Sequence, residues 1–420
     1  MRRSLILALA LVTVLVPAVF AAPTAVDFWY GMTGPDGAYI KSIVDAFSAA
    51  NPDVAVTPTA YAWATLWTKL DAAYAAGNPP QAIAFHVQEV APYNGKGMLE
   101  PIGAKLNQLG FDKNAYLPTM VESGQINGEQ YSLPIDVHPI AMYYNTDMFK
   151  AAGLDPNKPP ATYADLVSAA QKLTKADKSV YGVGLEQKND IQFYGFMSFF
   201  YQWGGKLVSD DFKKATFDGE PARKTLAQLH DLIWKYKVTP LGEEDARGDF
   251  KNRTNAIVFS GPWDNALQGG FPSVQGLSYR TAAVPLFGTT PATWKSSHQV
   301  AVIKQRDQSK VLAAVRLVKF ASENSIIWNE SGMVPVLKAA ATDSRLAPLK
   351  EYSKGFMDSL SFAKFMPLLP KGWEELFEAS PDRPIMKAIQ SYLMVENPNA
   401  DSILKEANDS LNRILARYYK

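Results

Sequence analysis

Four histidines, His86, His138, His230 and His298, and no cysteine make up the chain's stock of soft or borderline ligands. Without thiols there are no disulfides, thiolate zinc sites, iron–sulfur clusters or cysteine nucleophiles. His86 and Glu89 have the spacing of a metal-binding pair on one helix face. They follow directly on a strand end, however, and no His-Glu-x-x-His completes them. Tyr143-Tyr144 has the look of the paired tyrosines that ligate ferric iron in some secreted carriers, but adjacent strand residues face opposite ways. We therefore expect no metal and no cofactor. Glu243-Glu244 and Asp210-Asp211 fall in polar turns, where solvation accounts for them. His230 falls on the polar side of a helical pattern and reads as a surface residue. Glycosidase chemistry needs two carboxylates about 5 to 9.5 Å apart, and no pattern here specifies such a pair. Gly-x-Gly-x-x-Gly after a strand, the phosphate-cradling Gly-x4-Gly-Lys-Ser/Thr and the Gly-x-Ser-x-Gly elbow are all missing. No catalytic constellation emerges.

The frame that must position any site is large. The chain has 420 residues, 47% hydrophobic and 20% charged, enough for two or three compact units at roughly 150 residues each. Lys plus Arg is 42 against 41 for Asp plus Glu, so there is no electrostatic footprint for nucleic acid or an anionic membrane. Arg2 and Arg3, the apolar run Leu5 to Val16, and the small-residue end at Ala21 read as an export signal cleaved after about Ala21. The run is too short to span a membrane. No cysteine follows it, so a lipid anchor there is excluded and a free, exported protein is expected.

Strand and helix patterns then alternate. Val26 to Tyr30, Val54 to Val56 and Gln81 to Phe85 read as strands. Helices are expected from Ile40 to Phe47, where Asn51-Pro52 stops the run, and over Thr65 to Ala76. Ala161 to Lys172, the run from Pro221 through Tyr236, and Ser402 to Tyr418 read as further helices. Ala256 to Phe259, Ala282 to Leu286 and Val300 to Ile303 read as strands. The alternation predicts α/β units with mostly parallel sheets. Ligands then sit beyond the strand carboxyl ends, at the loops after Tyr30 and Phe85.

Several segments, in order and over nearly the whole mature chain, resemble the solute-binding proteins of carbohydrate ABC importers, the family of maltose-binding protein. They are Val26 to Pro35, the stretch Leu133-Pro134-Ile135-Asp136-Val137-His138-Pro139, Met142-Tyr143-Tyr144-Asn145-Thr146-Asp147-Met148-Phe149, the Gly261-Pro262-Trp263 turn, and Gly332-Met333-Val334-Pro335. The resemblance implies an α/β fold of two lobes joined by a hinge, with an interlobe cleft. One lobe would comprise 23–136 plus 299–345, the other 137–298 plus 346–420. It also implies a periplasmic, non-catalytic monomer that hands a sugar or oligosaccharide to ABC permease membrane subunits. Glycerol phosphate is the alternative within the class and would need clustered basic side chains. A secreted polysaccharide-degrading enzyme is the alternative outside it.

Sugar sites combine flat aromatic platforms with side chains that donate and accept hydrogen bonds. On the resemblance, Trp263 is the stacking platform. Asp136 and His138, two apart on an expected strand, share a face and would meet ligand hydroxyls. The alternative for this pair is a local ion pair that fixes the hinge. His86 and Glu89 lie in the loop after the third strand, and His298 opens the strand that re-enters the first lobe. Met32 lies in the first loop, Trp63 precedes the second helix, and Tyr194 and Trp203 belong to an aromatic stretch. Trp67, Trp234 and Trp328 are expected in the core.

Overall fold

The computed structural model describes residues 22–34, 36–188, 190–377 and 383–420; the export signal expected over 1–21 lies outside the described residues. Its main sheet has five strands in the order Val54–Ala60, Thr24–Tyr30, Ala82–His86, His298–Val302, Ser132–Pro134. The first three are parallel. The fourth runs antiparallel to both of its neighbours. Side-chain alternation buries both faces. Ala82 and Ala84 pack on one side with Ile40, Val44 and Phe47 of the Gly37–Ala50 helix, whereas Ile83 and Phe85 pack on the other with Leu66 and Leu70 of the Trp63–Ala75 helix. The first of these helices ends where Asn51 turns back and its side-chain amide donates to the Phe47 carbonyl at 2.9 Å, which satisfies one of the orphan acceptors of the last turn.

A second sheet orders Tyr279–Ala282, Ala141–Asn145 and Ile257–Ser260, all antiparallel. This departs from the parallel arrangement expected of the second unit. An apolar run buried on both faces reads alike in either direction, so sequence cannot set the sign. The strand expected over Ala282 to Leu286 lies earlier and ends at Ala282. Pro285 has no N–H to give a ladder, and Leu286 keeps only an isolated bridge to Thr162. Around this sheet pack the aromatic helix Asp190–Gln202, the helix Glu220–Trp234 and the last helix Ala400–Tyr418. The 3–4 spacing of the last helix buries Leu404, Ala407, Leu411 and Leu415. A small third sheet links the two: Thr293–Ser296 pairs antiparallel with His138–Pro139 and parallel with Ala363–Lys364.

Tyr143 and Tyr144 diverge as strand neighbours must. Their hydroxyls donate to the carbonyls of Gly261 at 2.7 Å and Pro156 at 2.8 Å. Glu243 is not the solvated acid its sequence suggests. It is buried, accepting from the Leu185 N–H at 2.7 Å and from the Asn255 amide. His230 is half-buried, with its ring against Tyr392 and Nε2 at 2.9 Å from the Val395 carbonyl. No helix among the described residues is long and apolar enough to cross a membrane.

Candidate ligand-binding site

A cavity of about 510 Å³ opens where the loops after Tyr30 and after His86 face the turn after Ser260. Eight of the ten candidate residues line it: Met32, Trp63, His86, Glu89, His138, Tyr194, Trp263 and His298. The sequence could not assemble them, but it placed most of them at strand ends, where a sheet of this kind gathers its loops.

Two of the indoles are seated by glycines. A methyl group on Gly261 would come within 2.1 Å of the Trp263 ring, and one on Gly31 within 2.1 Å of the Trp63 ring. Each strand is therefore followed directly by a residue with no side chain, and a tryptophan ring lies over the bare backbone there. Trp67, expected in the core, stacks on Trp63 with ring centroids 5.5 Å apart and also lines the cavity. Trp294 stacks on Tyr194 at 4.0 Å. Trp373 comes from the short helix Trp373–Phe377. Sequence reading missed Trp294 and Trp373 altogether. A hint lay in Trp294 itself, an aromatic four residues before His298 on the approach to the re-entering strand. The Nε1 atoms of Trp294 and Trp373 are buried and have no acceptor among the described residues.

Three of the four histidines converge on the cavity floor. His86 and His298 stand directly opposite one another across antiparallel strands, with ring centroids 5.0 Å apart. His138 lies 4.4 Å from His298, ring to ring. Beneath them Asp136 is fully buried. Its Oδ1 accepts from the His298 backbone N–H at 2.8 Å and faces His138 Nδ1 at 3.0 Å. Its Oδ2 faces His298 Nδ1 at 2.6 Å and accepts from Trp328 Nε1 at 2.7 Å. Protein groups thus occupy both oxygens and Asp136 does not line the cavity, which corrects the ligand contact expected of it; it anchors His138 and His298, which do line it. The expected continuous strand is broken at Ile135 and Asp136, yet Asp136 and His138 still meet. Trp328 is a core residue as expected, and it serves this network.

The electrostatics follow from burial. Desolvation would raise the Asp136 carboxyl, but His298 and His138, by charge and hydrogen bond, hold it far below the usual carboxylate range. Desolvation, then the neighbouring His298 and His138, push His86 well below the ordinary imidazole range. Desolvation also lowers His138, against the opposing pull of Asp136. Burial therefore favours the neutral form of His86 and of His138. Trp203 does not join this site. Its Nε1 donates to Gln228 Oε1 at 3.1 Å and Lys224 Nζ lies 4.7 Å from its ring, away from the cavity. Trp203 lies just past the helix Asp190–Gln202, whose aromatic spacing serves packing through Phe196, Phe199 and Phe200.

The model of the bacterial extracellular solute-binding protein family matches residues 33–325. The chain belongs to that family. A binding protein of Brucella abortus (strain 2308) is 26% identical to this solute-binding protein over 398 residues, covering 92% of this chain and 91% of that one. The sn-glycerol-3-phosphate-binding periplasmic protein UgpB of Escherichia coli (strain K12) is 26% identical over 345 residues, covering 76% of each. Among solved structures, a Thermotoga lettingae ABC transporter solute-binding protein bound with alpha-D-tagatose superposes with a TM-score of 0.79 at 24% identity, covering 93% of this chain and all of that one. The two-lobed fold of such proteins is thereby established for this solute-binding protein.

Proposed function

We propose that this protein captures an uncharged sugar or short oligosaccharide in the aromatic cavity and delivers it to an ABC permease. The observation that carries the reading is the lining. Five of the chain's nine tryptophans and Tyr194 surround a space edged by His, Gln and carboxylate side chains. Apolar C–H faces of a sugar stack on the rings, and its hydroxyls meet the polar groups. Tagatose in the Thermotoga structure is in keeping with this reading.

A phosphorylated polyol, the ligand named for UgpB, suits the lining less well. Arg247 is the sole Lys or Arg among the described lining residues. It is held by Glu186 at 3.0 Å, with Asp264 at 3.9 Å. Asp36, Glu89, Asp264 and Glu374 line the same space, so a phosphate would enter an acidic surround.

We divide the chain at the crossings into 22–136 plus 298–345 and 137–297 plus 346–420, acting as a monomer whose lobes close on the ligand. His298 moves to the first lobe because its strand belongs to the main sheet. Ligand contacts that exist only in the closed form shift the population toward it, and the permease reads that form. The leader over residues 1–21 would direct export to the periplasm.

A thermal-shift and calorimetric screen of mono- and oligosaccharides, with glycerol 3-phosphate included, tests the ligand class. Saturable one-to-one sugar binding without product is expected. Preferential binding of the phosphate overturns the ligand class, and multiple-turnover sugar cleavage overturns the non-catalytic role in favour of a secreted glycan-degrading enzyme.

A further inference from the structure

We propose that His86, His138 and His298 bind a divalent d-block cation, zinc foremost, at the floor of the cavity. One ring nitrogen of each lies within 4.8 Å of the others. No spacing motif announces this cluster, because the three come from the end of one strand, the start of the short strand His138–Pro139 and the start of a strand more than two hundred residues after His86.

Asp136 faces Nδ1 of His138 at 3.0 Å and Nδ1 of His298 at 2.6 Å. That arrangement fixes the tautomer with the proton on Nδ1 and leaves an Nε2 lone pair on each ring. A carboxylate behind the histidine is the usual outer partner of a metal-bound imidazole; it orients the ring and raises its basicity. Trp328 and the His298 backbone N–H hold the carboxylate in turn, so the anchor is rigid. A dication held between the three rings would be balanced in part by this carboxylate.

Three neutral nitrogens select zinc, copper, nickel or cobalt over magnesium and calcium, which prefer oxygen. Nitrogens about 2.0–2.1 Å from a tetrahedral ion lie about 3.3 Å apart, so the set must tighten. His86 is the member with room to move, since its side chain is 18% exposed against 2% and 5% for His138 and His298. Three protein ligands leave one position open, and the cavity lies on that side. There a hydroxyl oxygen of the captured solute would bind; this last step rests on the sugar-binding role proposed above.

The test uses untagged protein stripped with a chelator. Zinc is titrated by calorimetry, cobalt is followed by its visible d–d bands, and sugar binding is measured with and without zinc. One zinc per chain is expected, with tetrahedral cobalt bands. His86→Ala and His298→Ala should each weaken zinc binding by about 100-fold or more, while His230→Ala leaves it unchanged. Melting temperature is recorded for every variant, and His86→Ala spares the Asp136 anchor. Sub-stoichiometric zinc in the parent protein, or full affinity in a folded His86→Ala, His298→Ala double variant, overturns the metal site. Sugar binding without zinc uptake overturns the metal site alone. Zinc uptake without binding of any sugar leaves the metal site standing and overturns the sugar-binding role.

Discussion

Trp328 Nε1 donates to Asp136 Oδ2 at 2.7 Å, joining residues 192 positions apart in the chain. The bond ties the short helix Ile326–Asn329 to the segment that leaves the main sheet, and the same carboxylate holds two of the three cavity histidines. Both side chains are fully buried. Removing the charge from such a cluster leaves its donors mismatched, so Asp136→Asn should cost about 3–5 kcal/mol of folding stability. Trp328→Phe loses one charge-assisted bond and some packing, about 2–4 kcal/mol. Because the two act on one cluster, the double variant should lose less than the sum, with a coupling of about 1 kcal/mol or more. Chemical denaturation of the four proteins measures it, and simple additivity would sink the claim that they form a unit.

Trp263→Ala separates a platform from a core residue. The indole is half-buried and lines the cavity. Truncating a central aromatic anchor costs about 2–4 kcal/mol of binding, or about 30- to 1,000-fold in affinity. The unliganded protein should melt almost normally. A large fall in melting temperature with sugar affinity retained would place the ring in the core instead.

Gly261→Ala makes the same point without touching the indole. Gly261 has φ −89° and ψ 175°, ordinary extended backbone that alanine adopts freely. The added methyl would meet the Trp263 ring at 2.1 Å, so the ring must swing off its seat. Sugar affinity should fall by about as much as in Trp263→Ala, again with a near-normal fold. Calorimetric titration that returns parental affinity would show that the seat does not position the platform.

The parts of this molecule that sequence reading recovered are those set by local physics. Helical spacing located Ile40, Ile43, Val44 and Phe47, and the buried stripe of the last helix. Strand ends located Met32, His86 and Trp263, because loops gather there. What it missed depends on long-range pairing. His86 meets His298 only through the register of two antiparallel strands. Asp136 and Glu243 read as ligand-facing and solvated because burial of a single acid leaves no periodic trace. Trp203 and Tyr194 share one aromatic run, but Tyr194 lies in the helix Asp190–Gln202 and Trp203 just past its end, and only tertiary packing decides which of them lines the cavity.

Glu243 supplies a pH-dependent component of stability. Burial, opposed by its bonds from Asn255 and the Leu185 N–H, pushes its carboxyl up to about 7 from 4.5. An acid with a raised folded pKa keeps its proton longer in the folded state than in the unfolded one. Its stabilising contribution is complete below about pH 4.5, declines as pH rises through the window to about 7, and is gone above it. A shift of that size corresponds to about 3 kcal/mol. In Glu243→Gln the side chain is neutral throughout. Its oxygen can still accept from Leu185, and the Asn255 amide can turn over to accept from the new NH2 group. The variant should therefore be less pH-sensitive than the parent between pH 5 and 8, and more stable than it at pH 8. Urea denaturation of both proteins across that range reads the difference, and parallel stability curves would show that Glu243 ionises in the fold as readily as in the unfolded chain.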